Sequence, residues 1–179
     1  MQQLPARPHI ACRDISKKHG ALLIFDEVIT GFRMSWGGAK EYYGSSPDIG
    51  TYGKIIGGGM PVGAIAGSKF VMEHLAPIGK VYQAGTLSGN PIAMVAGLAN
   101  LQGLKSTNFY ESTRALGAYM DKKVQTLQSK KMFGYRRVES LFWFSFGSSQ
   151  PANWPQEIPA QAKALYAEVF HKALERGVY

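Results

Sequence analysis

Two carboxylates at the end of an apolar run are the first residues with clear chemical potential. Asp26 and Glu27 close the run ALLIFDEV (21–28), and such a continuous run is typical of a strand buried on both faces. Ligands of parallel α/β sheets bind at the carboxyl ends of strands. An ionised carboxylate is stable there when it is paired, for example with a cationic ring nitrogen. A helix cap or a salt bridge to Arg33 is the structural alternative.

A single lysine, Lys54, lies in the glycine-rich stretch GTYGKIIGGGMPVG (50–63). Burial lowers the pKa of a lysine because desolvation penalises the ammonium form, and the neutral amine is a nucleophile that can form a Schiff base. The alternative is a surface lysine in a flexible loop. A P-loop is excluded because Ser68 precedes Lys69 in GAIAGSK, and no Gly-x-Gly-x-x-Gly opens a helix.

The stretch YQAGTLSGNP (82–91) offers two hydroxyls, those of Thr86 and Ser88, ahead of a predicted helix. Hydroxyls and free backbone N–H groups at a helix N-terminus can bind phosphate. Plain capping by Asn90 is the alternative, and it is compatible with the first. The four histidines lie far apart without metal-ligand spacing, so we expect no metal site.

These residues need a sheet to position them, and the chain predicts one. A helix ending at Gly20 leads into the strand over 21–28, TYGKII predicts a second strand, and VGAIAGS predicts a third. A helix over 69–76 follows, with Ser68 as its cap. The helix after Asn90 carries several small residues, so we expect it to pack closely on the sheet. Alternating helices and strands predict an α/β fold with a mostly parallel sheet.

The composition changes near residue 107, where we place a domain boundary. NFYESTRALGAYMDKKVQTLQ predicts a helix, RRVESLFWFSFG one antiparallel strand, and AQAKALYAEVFHKALERG an amphipathic helix that ends at Gly177. We therefore expect an α/β domain over 1–107 and the start of a smaller α+β domain over 108–179.

The composition narrows the functional class. Of the 179 residues, 45% are hydrophobic and 18% charged, which is typical of a globular protein. The single cysteine, Cys12, favours a reducing compartment. No apolar run reaches the length of a membrane span.

The formal charge of +8 includes one dense cluster, Lys130, Lys131, Arg136 and Arg137. We interpret it as a solvated turn, since the aromatic and basic interleaving of single-strand nucleic-acid binders is missing.

Three stretches together resemble one family. LLIFDEVITGFR, PDIGTYGKIIGGGMPVGAIAG and YQAGTLSGNPIAM are similar to the class III aminotransferases, which use pyridoxal phosphate on a fold-type-I scaffold. The sequences GKIIGGGMPVGA and YQAGTLSGNP are more similar to the aminomutase branch of that family. The resemblance covers most of residues 20–110, is weaker over 130–160, and does not extend to residues 1–19.

The resemblance implies a role for four residues. Lys54 would carry pyridoxal phosphate as a Schiff base and move protons between substrate carbons. Asp26 would pair with the pyridinium nitrogen, so that the ring acts as an electron sink, and Val28 would press on one ring face. Thr86 would contact the cofactor phosphate across a homodimer interface.

The implied reaction moves an amino group within glutamate-1-semialdehyde to give 5-aminolevulinate for tetrapyrrole synthesis, through the pyridoxamine form of the cofactor. An ordinary aminotransferase acting between two molecules and a non-catalytic fragment stay open as alternatives. Neither nucleic acid nor membrane is an expected partner, and the expected compartment is the cytoplasm, or a plastid in a plant or alga. The family also has an N-terminal phosphate cup and a C-terminal stretch that do not match this chain, so we expect an internal piece of the enzyme.

Overall fold

The computed structural model describes residues 8–128 and 133–179 and contains two compact units, Met1–Tyr110 and Glu111–Tyr179. The described helices are α1 (Pro8–Lys18), α2 (Gly38–Tyr43), α3 (Lys69–Met72), α4 (Pro91–Ser106), α5 (Phe109–Gln128) and α6 (Ala162–Leu174). The described strands are β1 (Ile24–Asp26), β2 (Ile49–Tyr52), β3 (Ala64–Gly67), β4 (Phe133–Val138) and β5 (Leu141–Phe146). The division into an α/β domain over 1–107 and the start of a smaller α+β domain over 108–179 stays a prediction.

The first unit is built on a sheet in the order β1-β2-β3. β1 and β2 run parallel, with Asp26 opposite Thr51, whereas β3 runs antiparallel to β2. The α/β prediction is confirmed, but the second strand differs from the predicted TYGKII. β2 ends at Tyr52, and Lys54 begins a short 3-10 helix, Lys54–Gly57, which we call the Lys54 turn. Gly53 precedes this turn, and Gly58 ends it with a left-handed backbone that glycine adopts readily.

Capping residues confirm two predicted helix starts. Asn90 accepts hydrogen bonds from the backbone N–H groups of Ile92 and Ala93, and Pro91 opens α4. The hydroxyl of Ser68 accepts from the N–H of Val71 at the start of α3. That helix spans Lys69–Met72 and is therefore shorter than the predicted 69–76.

The second unit corrects the prediction of a single aromatic strand. RRVESLFWFSFG contains a turn, and β4 and β5 pair antiparallel on either side of it, with Val138 opposite Leu141. Glu139 takes a left-handed backbone (φ 52°) at this turn, which reverses the chain. The aromatic alternation predicted one continuous strand. The turn was not predicted because Glu and Ser are weak turn signals compared with Gly or Asn. The helix ending before Gly177 is confirmed by α6.

An ionic network joins α5 to the β4–β5 hairpin. Arg137 donates to both carboxylate oxygens of Asp121, at 2.9 and 2.6 Å, and the Tyr135 hydroxyl donates to the same carboxylate at 2.9 Å. The hydrogen bonds from Arg137 hold the pKa of Asp121 below its usual value. Bidentate arginine–carboxylate pairs of this kind are the more stabilising class of surface ion pair.

We expect Asp121→Asn to lower the melting temperature at pH 7. Because the folded-state pKa of Asp121 is depressed, its contribution is present above the unfolded pKa of about 3.9 and is lost as the pH falls through the lower folded value. The difference between wild type and variant should therefore shrink below about pH 4. Circular-dichroism melts from pH 7 to pH 2 measure it, with Asp14→Asn at an exposed site as the control. A difference that is constant over this range contradicts the assignment.

The basic cluster is only partly within the described residues. Arg136 donates to the side chain of Asn153, and Arg137 to Asp121, while Lys130 and Lys131 lie outside the described ranges. The two arginines thus serve intramolecular contacts. Among residues 8–128 and 133–179, no helix is long and apolar enough to cross a membrane.

Candidate functional site

Asp26 lies exposed at the carboxyl end of β1. Its Oδ1 atom accepts two hydrogen bonds, from the Val28 backbone N–H at 3.0 Å and from the Thr51 hydroxyl at 3.3 Å. Within the described part of the chain, no donor to Oδ2 is seen. The carboxylate is therefore anchored through one oxygen and can present the other to a cationic ligand. The sequence alone did not indicate Thr51, because its position opposite Asp26 follows from the strand register that the structure shows.

Glu27 has a different function from its neighbour. It is 1% exposed, and its carboxylate accepts from the N–H groups of Ala39 (2.8 Å) and Lys40 (2.9 Å) and from the Thr30 hydroxyl. It thus caps the N-terminal turn of α2, which favours a negative charge. The helix cap that the sequence left as an alternative for the acidic pair is the role that Glu27 adopts.

We expect Glu27→Gln to destabilise the first unit by about 2 kcal/mol, since hydrogen bonds to a charged group contribute about 1.5–3 kcal/mol. The amide would also direct an N–H group at backbone donors that the carboxylate oxygens now satisfy. Urea unfolding measures the change. Glu73→Gln removes an exposed carboxylate paired with Lys69 and should have almost no effect. Equal effects of the two variants would contradict the capping role.

Lys54 follows β2, the strand that neighbours β1, and is exposed. Its backbone has φ 48°, in the left-handed region that side chains other than Gly, Asn and Asp rarely adopt. Of the two alternatives that the sequence left open for Lys54, its exposure in the described structure agrees with a surface lysine in a glycine-rich loop. Strained backbone at a chemically competent residue is frequently found at functional sites.

Helix α4 holds the Lys54 turn from one side. Asn100 donates from its side chain to the Ile55 carbonyl at 2.7 Å. A Cβ added to Gly97 would collide with the Ile56 carbonyl oxygen, and one added to Gly58 with the Ala96 carbonyl oxygen. The close packing predicted for this helix is thus made with the Lys54 turn. The small residues were a usable signal, whereas nothing in the sequence indicated the role of Asn100.

Val28 lies close to Gly53, the residue that follows β2, and is hydrogen-bonded to Asp26 at the end of β1. A Cβ built on Gly53, the residue before Lys54, would lie 3.3 Å from Val28 Cγ1. Val28 also donates its N–H to Asp26. The structure therefore brings together the segments of Asp26, Val28 and Lys54, three of the four predicted site residues.

Thr86 is exposed in the turn that precedes α4, where Ser88 donates its N–H to the Gly85 carbonyl at 2.9 Å. No described contact joins Thr86 to Asp26 or Lys54. Its assignment to a phosphate across a dimer interface stays a prediction.

The site residues fit an aldehyde cofactor with a basic ring nitrogen. Lys54 supplies an exposed primary amine, Asp26 a carboxylate anchored through Oδ1, and Val28 an apolar side chain close to Gly53. In the part of the chain that the structure describes, no group of three or more His, Cys, Asp or Glu side chains could hold a metal ion.

The sequence profile of the aminotransferase class III family matches residues 8–179, and the chain belongs to this family. The match includes most of the first 19 residues, which the quoted motifs did not cover. Among curated relatives, the chain is 51% identical over 170 residues to glutamate-1-semialdehyde 2,1-aminomutase of Ruminiclostridium cellulolyticum, covering 92% of this chain and 38% of that protein. It is 45% identical to the protein of the same name from Sulfurihydrogenibium azorense, covering 96% and 40%.

Solved structures support the fold. An omega-transaminase from Sphaerobacter thermophilus superposes with a TM-score of 0.82 at 31% identity, covering 98% of this chain and 41% of that one. A β-phenylalanine aminotransferase from Variovorax paradoxus also gives 0.82, at 28% identity, covering 95% and 40%. The chain thus has the fold of part of a fold-type-I transaminase, and it spans about 40% of the length of the curated relatives it matches.

Proposed function

We propose that this chain carries the lysine and ring-nitrogen half of a pyridoxal-phosphate site. One observation carries the proposal: an exposed amine, Lys54, and an anchored carboxylate, Asp26, follow the carboxyl ends of adjacent parallel strands. Ligands of α/β sheets bind at this edge. A solved structure described as a transaminase with PLP bound matches this chain at 28% identity with a TM-score of 0.69, which supports the choice of cofactor.

The family resemblance gives each residue a role that agrees with its chemistry. Pyridoxal phosphate, when bound, supplies an electron sink for charge that develops on a substrate carbon. The Lys54 amine would hold the cofactor and would move a proton at its Nζ atom. The Asp26 carboxylate would pair with the ring nitrogen and favour its protonated form. Val28 would contact one face of the ring and help exclude water, and Thr86 would donate to the phosphate.

For the substrate, we propose glutamate-1-semialdehyde, converted within one molecule to 5-aminolevulinate in tetrapyrrole synthesis. The identity to proteins named glutamate-1-semialdehyde 2,1-aminomutase, up to 51%, supports this choice over a general class III aminotransferase. The similarity to solved structures of an omega-transaminase and a β-phenylalanine aminotransferase favours the second candidate. Amine exchange with a free keto acid distinguishes them, since only an aminotransferase should sustain it.

We further propose a homodimer as the working form, because the family resemblance assigns Thr86 to the cofactor phosphate across a dimer interface. The single cysteine supports a reducing compartment, the cytoplasm or a plastid.

The test is covalent capture. The chain is incubated with pyridoxal phosphate and reduced with borohydride, and the modified peptides are mapped by mass spectrometry. A pyridoxyl group on Lys54 alone supports the proposal. Labelling scattered over many lysines, or none, favours the non-catalytic alternative, in which this chain serves only as a folded binding module.

A further inference from the structure

Thr51 contacts the segment of Asp26 through two independent groups. Its carbonyl accepts the Glu27 N–H at 2.8 Å, which continues the parallel ladder beyond Asp26. Its hydroxyl donates to Asp26 Oδ1 at 3.3 Å across the strand pair. The second contact concerns the carboxylate alone, since the ladder would form with any residue other than proline at either position.

Both bonds to the carboxylate end on the same oxygen. The Val28 N–H approaches Asp26 Oδ1 from the same strand at 3.0 Å, and the Thr51 hydroxyl approaches it from the neighbouring strand. A second donor from a different direction restricts the rotation of the carboxylate about its Cβ–Cγ bond and therefore restricts its plane. The orientation of Oδ2 follows from this plane.

We propose that Thr51 is a positioning residue, whose hydroxyl orients the Asp26 carboxylate so that Oδ2 faces the ring nitrogen of the cofactor. The inference rests on the proposed function, in which Asp26 pairs with that nitrogen. Thr51 itself touches neither cofactor nor substrate in this proposal and acts only through Asp26.

The surroundings of Thr51 accept a valine, so that its hydroxyl can be removed without changing the shape of the side chain. Thr51 lines an apolar cleft of about 410 Å³ together with Ile24, Ile49 and Ile65. Valine has the shape of threonine and suits such a cleft and a strand. Thr51→Val removes the hydroxyl and keeps the shape of the side chain, so we expect the variant to fold. A purely structural role of the hydroxyl predicts a change in stability but no change in the Asp26 rotamer or in cofactor affinity.

The first measurement needs no cofactor. Three-bond Hα–Hβ couplings of Asp26, measured by NMR on the chain without pyridoxal phosphate, report whether its χ1 angle occupies one staggered rotamer. We expect a single rotamer in wild type and in Thr51→Ser, which keeps the hydroxyl, and averaged couplings in Thr51→Val. Thr107→Val is the matched control, since it removes a hydroxyl bonded to Gly103 at the end of α4.

The second measurement is the dissociation constant of pyridoxal phosphate, followed by absorbance. We expect about fivefold weaker binding for Thr51→Val and less than about twofold change for Thr51→Ser, the size of one hydrogen bond. Unchanged Asp26 couplings in Thr51→Val overturn the inference, and so does unchanged affinity. If the wild-type chain takes up no pyridoxal phosphate, the proposed function fails for this chain, and the couplings alone decide the role of Thr51.

Discussion

Replacing Lys54 with alanine is expected to reduce borohydride-trapped pyridoxyl label at this position to nothing, and the total label by about tenfold or more, since the nucleophilic amine is gone. The fold should be unaffected. Alanine has a Cβ like lysine, so the left-handed backbone at φ 48° keeps its strain. The variant therefore isolates the amine from the conformation of the turn.

Two companion variants make the Lys54 result specific. Lys69→Ala removes an ammonium group whose side chain is 88% exposed, and it should leave the label on Lys54 unchanged. Lys54→Gly should also abolish the label, but it should raise the free energy of unfolding by about 1 kcal/mol because glycine tolerates positive φ. Label that persists in Lys54→Ala, or that falls equally in Lys69→Ala, would contradict the assignment.

Replacing Gly97 with alanine is expected to lower the free energy of unfolding by about 3 kcal/mol, the upper end for an overpacked site. The added Cβ would collide with the Ile56 carbonyl oxygen. A backbone oxygen cannot swing aside like the end of a flexible side chain, so α4 must move away from the Lys54 turn. The hydrogen bond from Asn100 to the Ile55 carbonyl would then lengthen, and we expect weaker capture of pyridoxal phosphate at Lys54.

The same helix provides the control. Gly103 has no atom within 4 Å of an added Cβ, and Gly103→Ala should stabilise the chain by about 0.5–1 kcal/mol through helix propensity alone. Chemical unfolding of the two variants gives effects of opposite sign if α4 packs on the Lys54 turn as described. Stabilisation by both would show that the close contact at Gly97 does not exist in solution.

The family could be predicted from the sequence because its signals are local. An apolar run that ends in Asp26 and Glu27, and a lysine enclosed by glycines, stay recognisable without any tertiary contact. Asn90 and Pro91 mark the start of α4 for the same reason, since a cap bonds to N–H groups two and three residues away. The aromatic hairpin was missed because the turn at Glu139 depends on a backbone conformation that its residue type disfavours.

The sequence by itself determined which residues have the chemistry: the amine of Lys54, the carboxylates of Asp26 and Glu27, and the small residues that keep α4 thin. Only the tertiary structure decided which role each of these residues takes. Adjacent strand residues point to opposite faces, and which face α2 covers depends on residues a dozen positions away, so Glu27 became the buried cap and Asp26 the exposed anchor. Thr51 and Asn100 acquire their roles in the same way, through contacts across 25 and 45 residues of chain, which no local pattern specifies.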